Sequence, residues 1–411
     1  MADIKEKKKT FMARQPIFDR NKNIYGYELL FRHGLENFFD ETLCKDFASS
    51  KVLLDSFLLF DLKELTRGRR AFLNFTEKVL LSEVAMAFSR DAIIIELLEN
   101  IAPGQDIVAT CAKLKSKGYL LALDDFQYHP SYEPLIQLAD IIKIDFLLTK
   151  GEERRTIVQK GGGKVKFLAE KIETLEEYHQ AMEMGYSYFQ GYFFCRPIII
   201  EGKEIPSHKL NLVQILKEIH QPDIDFNQIA KIIQRDVSLS YKLMRFINSA
   251  AFGFLTEIHS IRHALNLLGI YEFKKWISLV LLSQMGSDKP NELMINSLIR
   301  AKFCELVAES TGQKEKKPLF FLMGLFSLID AFLDRPMAEI LQELPIPKEV
   351  KSAILGEDKQ GLLNQVLGLI VNYEQSKWDT VAEIASALKL PERVVLEHYL
   401  VAIKWANDCS F

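Results

Sequence analysis

Hydrophobic and polar positions along the first half of the chain follow one repeated scheme, a short apolar run that closes on an acid, an amide or a lysine. The runs are YGYELL, AFLNF, AIIIELLEN, YLLALDDF, IIKIDF, VKFLAEKIE and YFQGYFF. Their polar residues are, in order, Glu28, Asn74, Glu96 with Glu99, Asp124 with Asp125, Lys143, Glu170 with Glu173, and Gln190. Near-continuous apolar runs predict parallel strands buried on both faces, and in a (β/α) barrel the chemistry gathers where such strands end. The first half is therefore expected to be a TIM-like (β/α) barrel whose strand ends share one mouth.

Near residue 200 the pattern changes. The segment 197–210, PIIIEGKEIPSHKL, carries two prolines, a glycine and mixed charges, and beyond it the strand-like runs stop. In NLVQILKEIH, FNQIAKIIQRD, LSYKLMRFINSAAFG and IHSIRHALNLLGIYEFKKWISLVLL, apolar residues recur at three and four, the spacing of a helical face. Asp236 reads as a helix start, Gly253 and Gly269 as stops, and Pro391 opens a last helix in PERVVLEHYLVAIKWA. The expected fold class is α/β plus all-α, with a barrel over 1–200 and a helical bundle over 201–411 that includes the tail.

Charge adds the first chemical constraint. Glu28, Glu96, Asp124, Asp125 and Glu170 in one cleft would repel one another unless cations neutralise them or some stay protonated. Any one acid after an apolar run is ordinarily a helix N-cap or a solvated loop residue, but a cap needs only one member of the pair Asp124–Asp125. A hard divalent ion, Mg²⁺ or Mn²⁺, takes carboxylate and amide oxygens, which suits Glu28, Asn74, Glu96, Asp124 and Asp125 as ligands. The nitrogen and sulfur donors that zinc prefers are missing from this set.

Composition narrows the class. The 411 residues carry a net charge of only -3, and the pI is near 6.3, so no general basic surface for DNA is expected. Cys44, Cys111, Cys195, Cys304 and Cys409 are scattered, odd in number and without a CxxC pair, as expected of reduced thiols. The opening MADIKEKKKTF has no apolar core of a secretory signal. The longest apolar stretch, 318–329, suits a buried helix and is too short for a membrane span. The expectation is a soluble cytoplasmic protein.

The segments RQPIFDRNKNIYGYELLFR, ALDDF, IKID, AEKIE and QGYFFCRP, in this order over about 11–197, resemble the signature segments of EAL domains, barrel-fold phosphodiesterases of the second messenger cyclic di-GMP. The resemblance places Glu28 at the acid of the name-giving motif and Asn74, Glu96, Asp124 and Asp125 on two divalent metal ions. It places Lys143 on the active-site lysine, Glu170 on the acid completing the metal and water site, and Gln190 on a late glutamine. Glu99 and Glu173 match acids that hold the loops around the site, Glu99 on the catalytic side and Glu173 on the substrate side. Arg32 falls where an arginine meets a substrate phosphate, and Gln15 on a substrate-side glutamine.

Two departures stand out. Where the family continues Phe-Gly-Thr-Gly after the aspartate pair, this chain reads Phe126, Gln127, Tyr128, His129, Pro130. The glycine of the family's AEGVE segment is replaced by Lys171. A change of backbone freedom at a ligand can displace it by about an angstrom, which can cost on the order of 10²-fold in rate.

The second half resembles the HDOD domain, a helical relative of the HD phosphohydrolases, through IQRDVSLSYKLMRFINSAAFG and HSIRHALNLLG. Where HD enzymes carry a metal-binding His-Asp pair, this chain reads Gly324, Leu325, Phe326, Ser327, Leu328, Ile329, Asp330. His259 and His263 lie four apart without a regularly spaced carboxylate and read as ordinary helix residues. The resemblance implies a regulatory or protein-binding domain whose partner is unknown. For the whole chain it implies metal-dependent hydrolysis of cyclic di-GMP to linear pGpG, a shift from biofilm formation toward motility, and a homodimer. The competing expectation is a non-catalytic cyclic di-GMP receptor or protein adaptor.

Overall fold

The computed structural model describes residues 10–33, 62–82, 84–126, 128–149, 151–160, 163–195, 229–230, 233–234, 237–248, 258–285 and 289–409. The opening nine residues, the segment 197–210, Asp236, Gly253 and Cys44 lie outside them. The chain divides into two compact units, Met1–Arg196 with Leu369–Ser410, and Pro197–Gly368 with Phe411.

The first unit contains a closed eight-stranded barrel in the order β1 to β8. The strands are β1 Thr10–Asp19, β2 Ile24–His33, β3 Arg70–Phe75, β4 Ile93–Leu97, β5 Leu120–Leu123, β6 Ile141–Asp145, β7 Lys166–Glu170 and β8 Tyr188–Gln190. Strands β2 to β8 run parallel, while β1 is antiparallel to both β2 and β8. The seven apolar runs thus fall on β2 to β8, and the barrel is closed by a strand outside that set. Its direction follows from its connection. Only Arg20–Asn23 separates β1 from β2, and a parallel crossover needs a dozen or more residues. Asp19 Oδ1 holds this turn by accepting the N–H groups of Asn21 and Asn23 at 2.8 and 2.9 Å.

Side chains alternate across each strand, so residues two apart share a face. Ile17, Phe72, Ile94, Ala122, Ile141, Leu168 and Tyr188 pack as one buried apolar layer. Two residues further along each parallel strand stand Asn74, Glu96, Asp124, Lys143, Glu170 and Gln190. On β1, which runs the other way, the matching residue precedes the layer, and Ile17 leads back to Gln15. On β2 the layer position is Gly26, where an added Cβ would sit 2.7 Å from the Arg70 carbonyl and 2.9 Å from the Phe72 ring. Glu28 follows it at the same spacing. An apolar floor therefore carries a polar layer at the strand ends.

The segment Leu369–Ser410, which includes most of the tail, groups with the barrel unit and not with the bundle over 201–411 to which its helical pattern assigned it. Tyr373, fully buried, donates its hydroxyl to the Met12 carbonyl of β1 at 3.0 Å, and its ring lies 4.5 Å from that of Tyr399. Asn407 donates to the Glu64 carbonyl at 2.8 Å. A helical period shows which face is apolar but carries no information about which core will bury it.

The second unit is helical in its described residues. It includes helices Val237–Ile247, Ile261–Met285, Asn291–Ser310 and Lys317–Phe326, with shorter helices at Ile329–Leu333, Met337–Glu343 and Lys348–Leu355. Gly269, read as a stop, takes non-helical backbone at φ 67° and ψ 171° and breaks the span Ile261–Met285 into two helices. The long apolar stretch forms Lys317–Phe326, buried from Phe320 through Phe326. At Gly324 a Cβ would lie 2.4 Å from the Arg300 carbonyl, so this glycine permits close contact with Asn291–Ser310. Ser327 accepts from Arg300 at 3.1 Å, and His259 and His263 are exposed. No helix among the described residues is long and apolar enough to cross a membrane.

Candidate metal and phosphodiester site

The polar layer is assembled by backbone pairing that continues past the strands. Asp124 N–H donates to the Leu97 carbonyl, Phe126 to Lys143, Phe146 to Glu170 and Ile172 to Gln190, at 2.9 to 3.1 Å. Asp125 and Lys171, each between two such contacts, take left-handed backbone at φ 40° and 54°. Asp adopts that region more readily than most residues, whereas lysine there is disfavoured by its Cβ.

Lys143, fully buried on β6, is the centre of the site. Its Nζ lies 2.7 Å from Asp124 Oδ1, 2.8 Å from Glu96 Oε1, 2.8 Å from Glu170 Oε1 and 3.6 Å from Glu28 Oε2. These contacts are close enough for ion pairing but not aligned as hydrogen bonds. On one flank Asn74 Nδ2 donates to Glu28 Oε1 at 3.2 Å, and Asn74 is the register partner of Glu96. On the other, Asp124, Asp125 and Glu170 bring carboxylate oxygens within 4.8 Å of one another.

A third arm orients Glu28. Gln190 Nε2 donates to Glu28 Oε2 at 2.6 Å and to Gln15 Oε1 at 3.0 Å, and Gln15 Nε2 donates to the Glu374 carbonyl at 3.4 Å. Gly191 makes the turn after Gln190 with φ 145°, and a Cβ there would meet the Ile172 carbonyl at 2.1 Å. Gly191→Ala is expected to destabilise the barrel by about 3 kcal/mol or more, because the clash is with backbone and cannot be relieved by a rotamer. Urea unfolding checks this; an unchanged midpoint would mean that the turn after Gln190 is not built this way.

The electrostatics follow from burial and an excess of acid. Burial pushes the Glu96 and Glu170 carboxyls well above the usual carboxylate range, with Lys143 pulling each partly back. Asp125 is also raised, first by burial and then by the charge of Asp124. For Lys143 burial works toward the neutral amine, but Asp124, Glu170, Glu28 and Glu96 together hold it well above its ordinary value. The surrounding acids therefore favour the ammonium form of Lys143, and burial favours the protonated form of Glu96, Glu170 and Asp125.

The donor set fits a hard cation. Asn74 Oδ1, Glu96 Oε2 and Asp125 Oδ1 are buried, yet none accepts a hydrogen bond from the described residues. Such groups are costly unless something satisfies them. They are all oxygens, the ligands of Mg²⁺, Mn²⁺ and Ca²⁺.

Not every expected residue joins the cluster. Glu99 is exposed, and the contact it makes is through its carbonyl, which accepts from the Tyr132 hydroxyl at 3.2 Å. Among the described contacts, none joins its carboxylate to the cluster around Lys143. Glu173 is also exposed, its N–H donating to Glu177 Oε2 at 2.9 Å. Arg32 is on β2, but its side chain lies outside the described residues. Asp145, buried at the end of β6, was missed. The spacing of two through Ile141, Lys143 and Asp145 was the available signal.

The EAL domain matches residues 50–197 and the HDOD domain residues 205–343. The uncharacterized protein YuxH of Bacillus subtilis is 40% identical over 97% of this chain and 98% of its own. The cyclic di-GMP phosphodiesterase CdgJ of Vibrio cholerae is 34% identical over 98% of this chain and 93% of its own. A manganese and cyclic di-GMP complex of BlrP1 from Klebsiella pneumoniae is 22% identical over 47% of this chain and 57% of that one, with a TM-score of 0.38, too distant to bear on the site. Two domain matches in order, with relatives of this identity along nearly the whole length, show that this chain belongs to the family that joins an EAL domain to an HDOD domain.

Proposed function

We propose that this protein is a cyclic di-GMP phosphodiesterase that yields linear pGpG with Mg²⁺ or Mn²⁺. The observation that carries the reading is the polar cluster in which Glu28, Glu96, Asp124 and Glu170 surround Lys143, Asn74 and Asp125 flank them, and several buried oxygens lack a donor. The relative named for this activity, CdgJ, supports it. Glu28, Asn74 and Glu96 would hold one ion, and Asp124, Asp125 and Glu170 a second. Bound divalent ions supply Lewis-acid polarisation of a phosphodiester and a more acidic water. Lys143 keeps its proton and places an ammonium against charge developing on the phosphate oxygens. Gln190 and Gln15 fix the carboxylate of Glu28, and the unpartnered Gln190 Oε1 is left to accept from substrate. Glu173 and Arg32 are assigned to the substrate side, and Glu99 to support of the rim.

The same reading places the protein in the cytoplasm as a homodimer, lowers the messenger and so favours motility over biofilm formation. Its helical unit serves as a binding platform for another protein. The test is chromatography of cyclic di-GMP incubated with full-length protein and Mn²⁺, beside Glu28→Ala. Linear pGpG from the wild type alone is the expected result. A folded wild type that binds the dinucleotide and leaves it intact would be a receptor, not an enzyme.

A further inference from the structure

Lys171 brings a second ammonium to the site, on one side only. Its Nζ bonds the buried carboxylate of Asp145 through Oδ2 and lies 4.0 Å from Asp125 Oδ2. Asp145 is held independently, since its Oδ1 accepts the N–H groups of Leu147 and Leu148 at 2.6 and 3.1 Å. Asp125 Oδ1 is buried without a hydrogen-bond partner. The Lys171 side chain is 50% exposed, so it can turn between the two aspartates or out to solvent. Its backbone, at φ 54°, is one that glycine adopts without steric cost. What a lysine adds at this place is charge.

Resting on the metal-dependent reading above, we propose that Lys171 is a tethered competitor for the divalent ion on the Asp124, Asp125 and Glu170 flank. Lys143 stands between the flanks and opposes an ion on either. Lys171 opposes only the one that includes Asp125, because a unit charge about 4 Å from a ligand oxygen offsets part of the attraction the ion would gain. The flank of Glu28, Asn74 and Glu96 consequently fills first. Occupancy of the second flank then varies with metal supply over a range where the first is already filled.

Mn²⁺ titration of the full-length protein, followed by the electron spin resonance of free Mn²⁺, tests this without measuring turnover. The wild type is expected to show a tight and a weak class of ion. Lys171→Met is expected to tighten the weak class by about tenfold, a figure that allows for solvent screening of a half-exposed charge. Lys171→Gly should match it, and Lys171→Arg should resemble the wild type. Asp145→Asn keeps an acceptor for Leu147 and Leu148 but releases the ammonium toward Asp125, so the weak class should weaken further. An unchanged or weaker second class in Lys171→Met overturns the proposal. So does tightening in Lys171→Gly alone, which would trace the effect to backbone strain. A wild type that binds Mn²⁺ in two classes while Lys171→Met behaves identically leaves the phosphodiesterase reading standing. A wild type that binds no Mn²⁺ removes both.

Discussion

With divalent ions removed by a chelator, Lys143→Met is expected to unfold about 3–5 kcal/mol more readily than the wild type at pH 8, and millimolar Mn²⁺ is expected to recover most of the loss. The size follows from removing one partner of a buried ionic cluster, which strands the opposite charge. Lys143 is the buried ammonium that Asp124, Glu96, Glu170 and Glu28 share, at 2.7 to 3.6 Å. Methionine keeps much of the apolar stem, so packing loss contributes little. Carboxylates left behind can relieve their repulsion by taking up protons, so the deficit should shrink at pH 5. Urea unfolding with and without Mn²⁺ at the two pH values measures each part. Turnover should fall with the variant even when Mn²⁺ restores its stability, since the ammonium proposed to face the phosphate is gone. Equal stability of variant and wild type in chelator at pH 8 would show that Lys143 is not the neutralising charge.

Metal-free wild type is expected to lose stability as pH rises from about 5 to 8, the reverse of ordinary acid unfolding. Glu96, Glu170 and Asp125 all have folded carboxyls raised above their ordinary values, chiefly by burial. A raised folded value means that the native state binds more protons than the unfolded chain. The stability this brings is complete below the unfolded carboxylate range, near pH 4, and is lost as pH climbs toward the folded values. Each such group contributes a slope of up to about 1.4 kcal/mol per pH unit within its window. Lys143, also raised, has its window above its unfolded value near 10.4 and adds no slope here. Calorimetry across this range should show a falling melting temperature in chelator and a much flatter one with Mn²⁺, because an ion replaces protons as the counter-charge. Glu96→Gln should flatten the chelator curve by itself. A melting temperature that rises from pH 5 to 8 in chelator would mean that these acids are ionised in the folded protein.

Much of the barrel and site was legible because a strand's period is local. An apolar residue that must face the barrel interior dictates that the residue two further on faces it too. This is why apolar runs that close on Asn74, Glu96, Asp124 and Glu170 pointed to one shared mouth, with Phe72, Ile94, Ala122 and Leu168 two residues before them in the apolar layer. The all-oxygen chemistry was legible from residue types alone. So was the absence of a His-Asp pair in the helical half, where Ser327 and Leu328 stand at the corresponding stretch.

Only the tertiary structure decided the rest, because it depends on contacts between residues far apart in sequence. The closing of the barrel by an antiparallel β1 rests on its pairing with β8, as Ile17 with Gln190. The placement of Lys143 among four acids requires strands β2, β4, β5, β6 and the end of β7 to converge. Glu96 and Glu99 are three residues apart with the same chemistry, yet the strand turns one inward and the loop after it leaves the other in water. The tail's helical period predicted an apolar face, and Tyr373 meeting Met12 across 361 positions decided which core receives it. Sequence determined what each element could bury and which chemistry it carried, since those are properties of neighbouring residues. Which charges meet, and so which acids are pushed toward their protonated form and which ammonium answers them, was decided by the closed barrel, since Coulomb energy depends on distance in space.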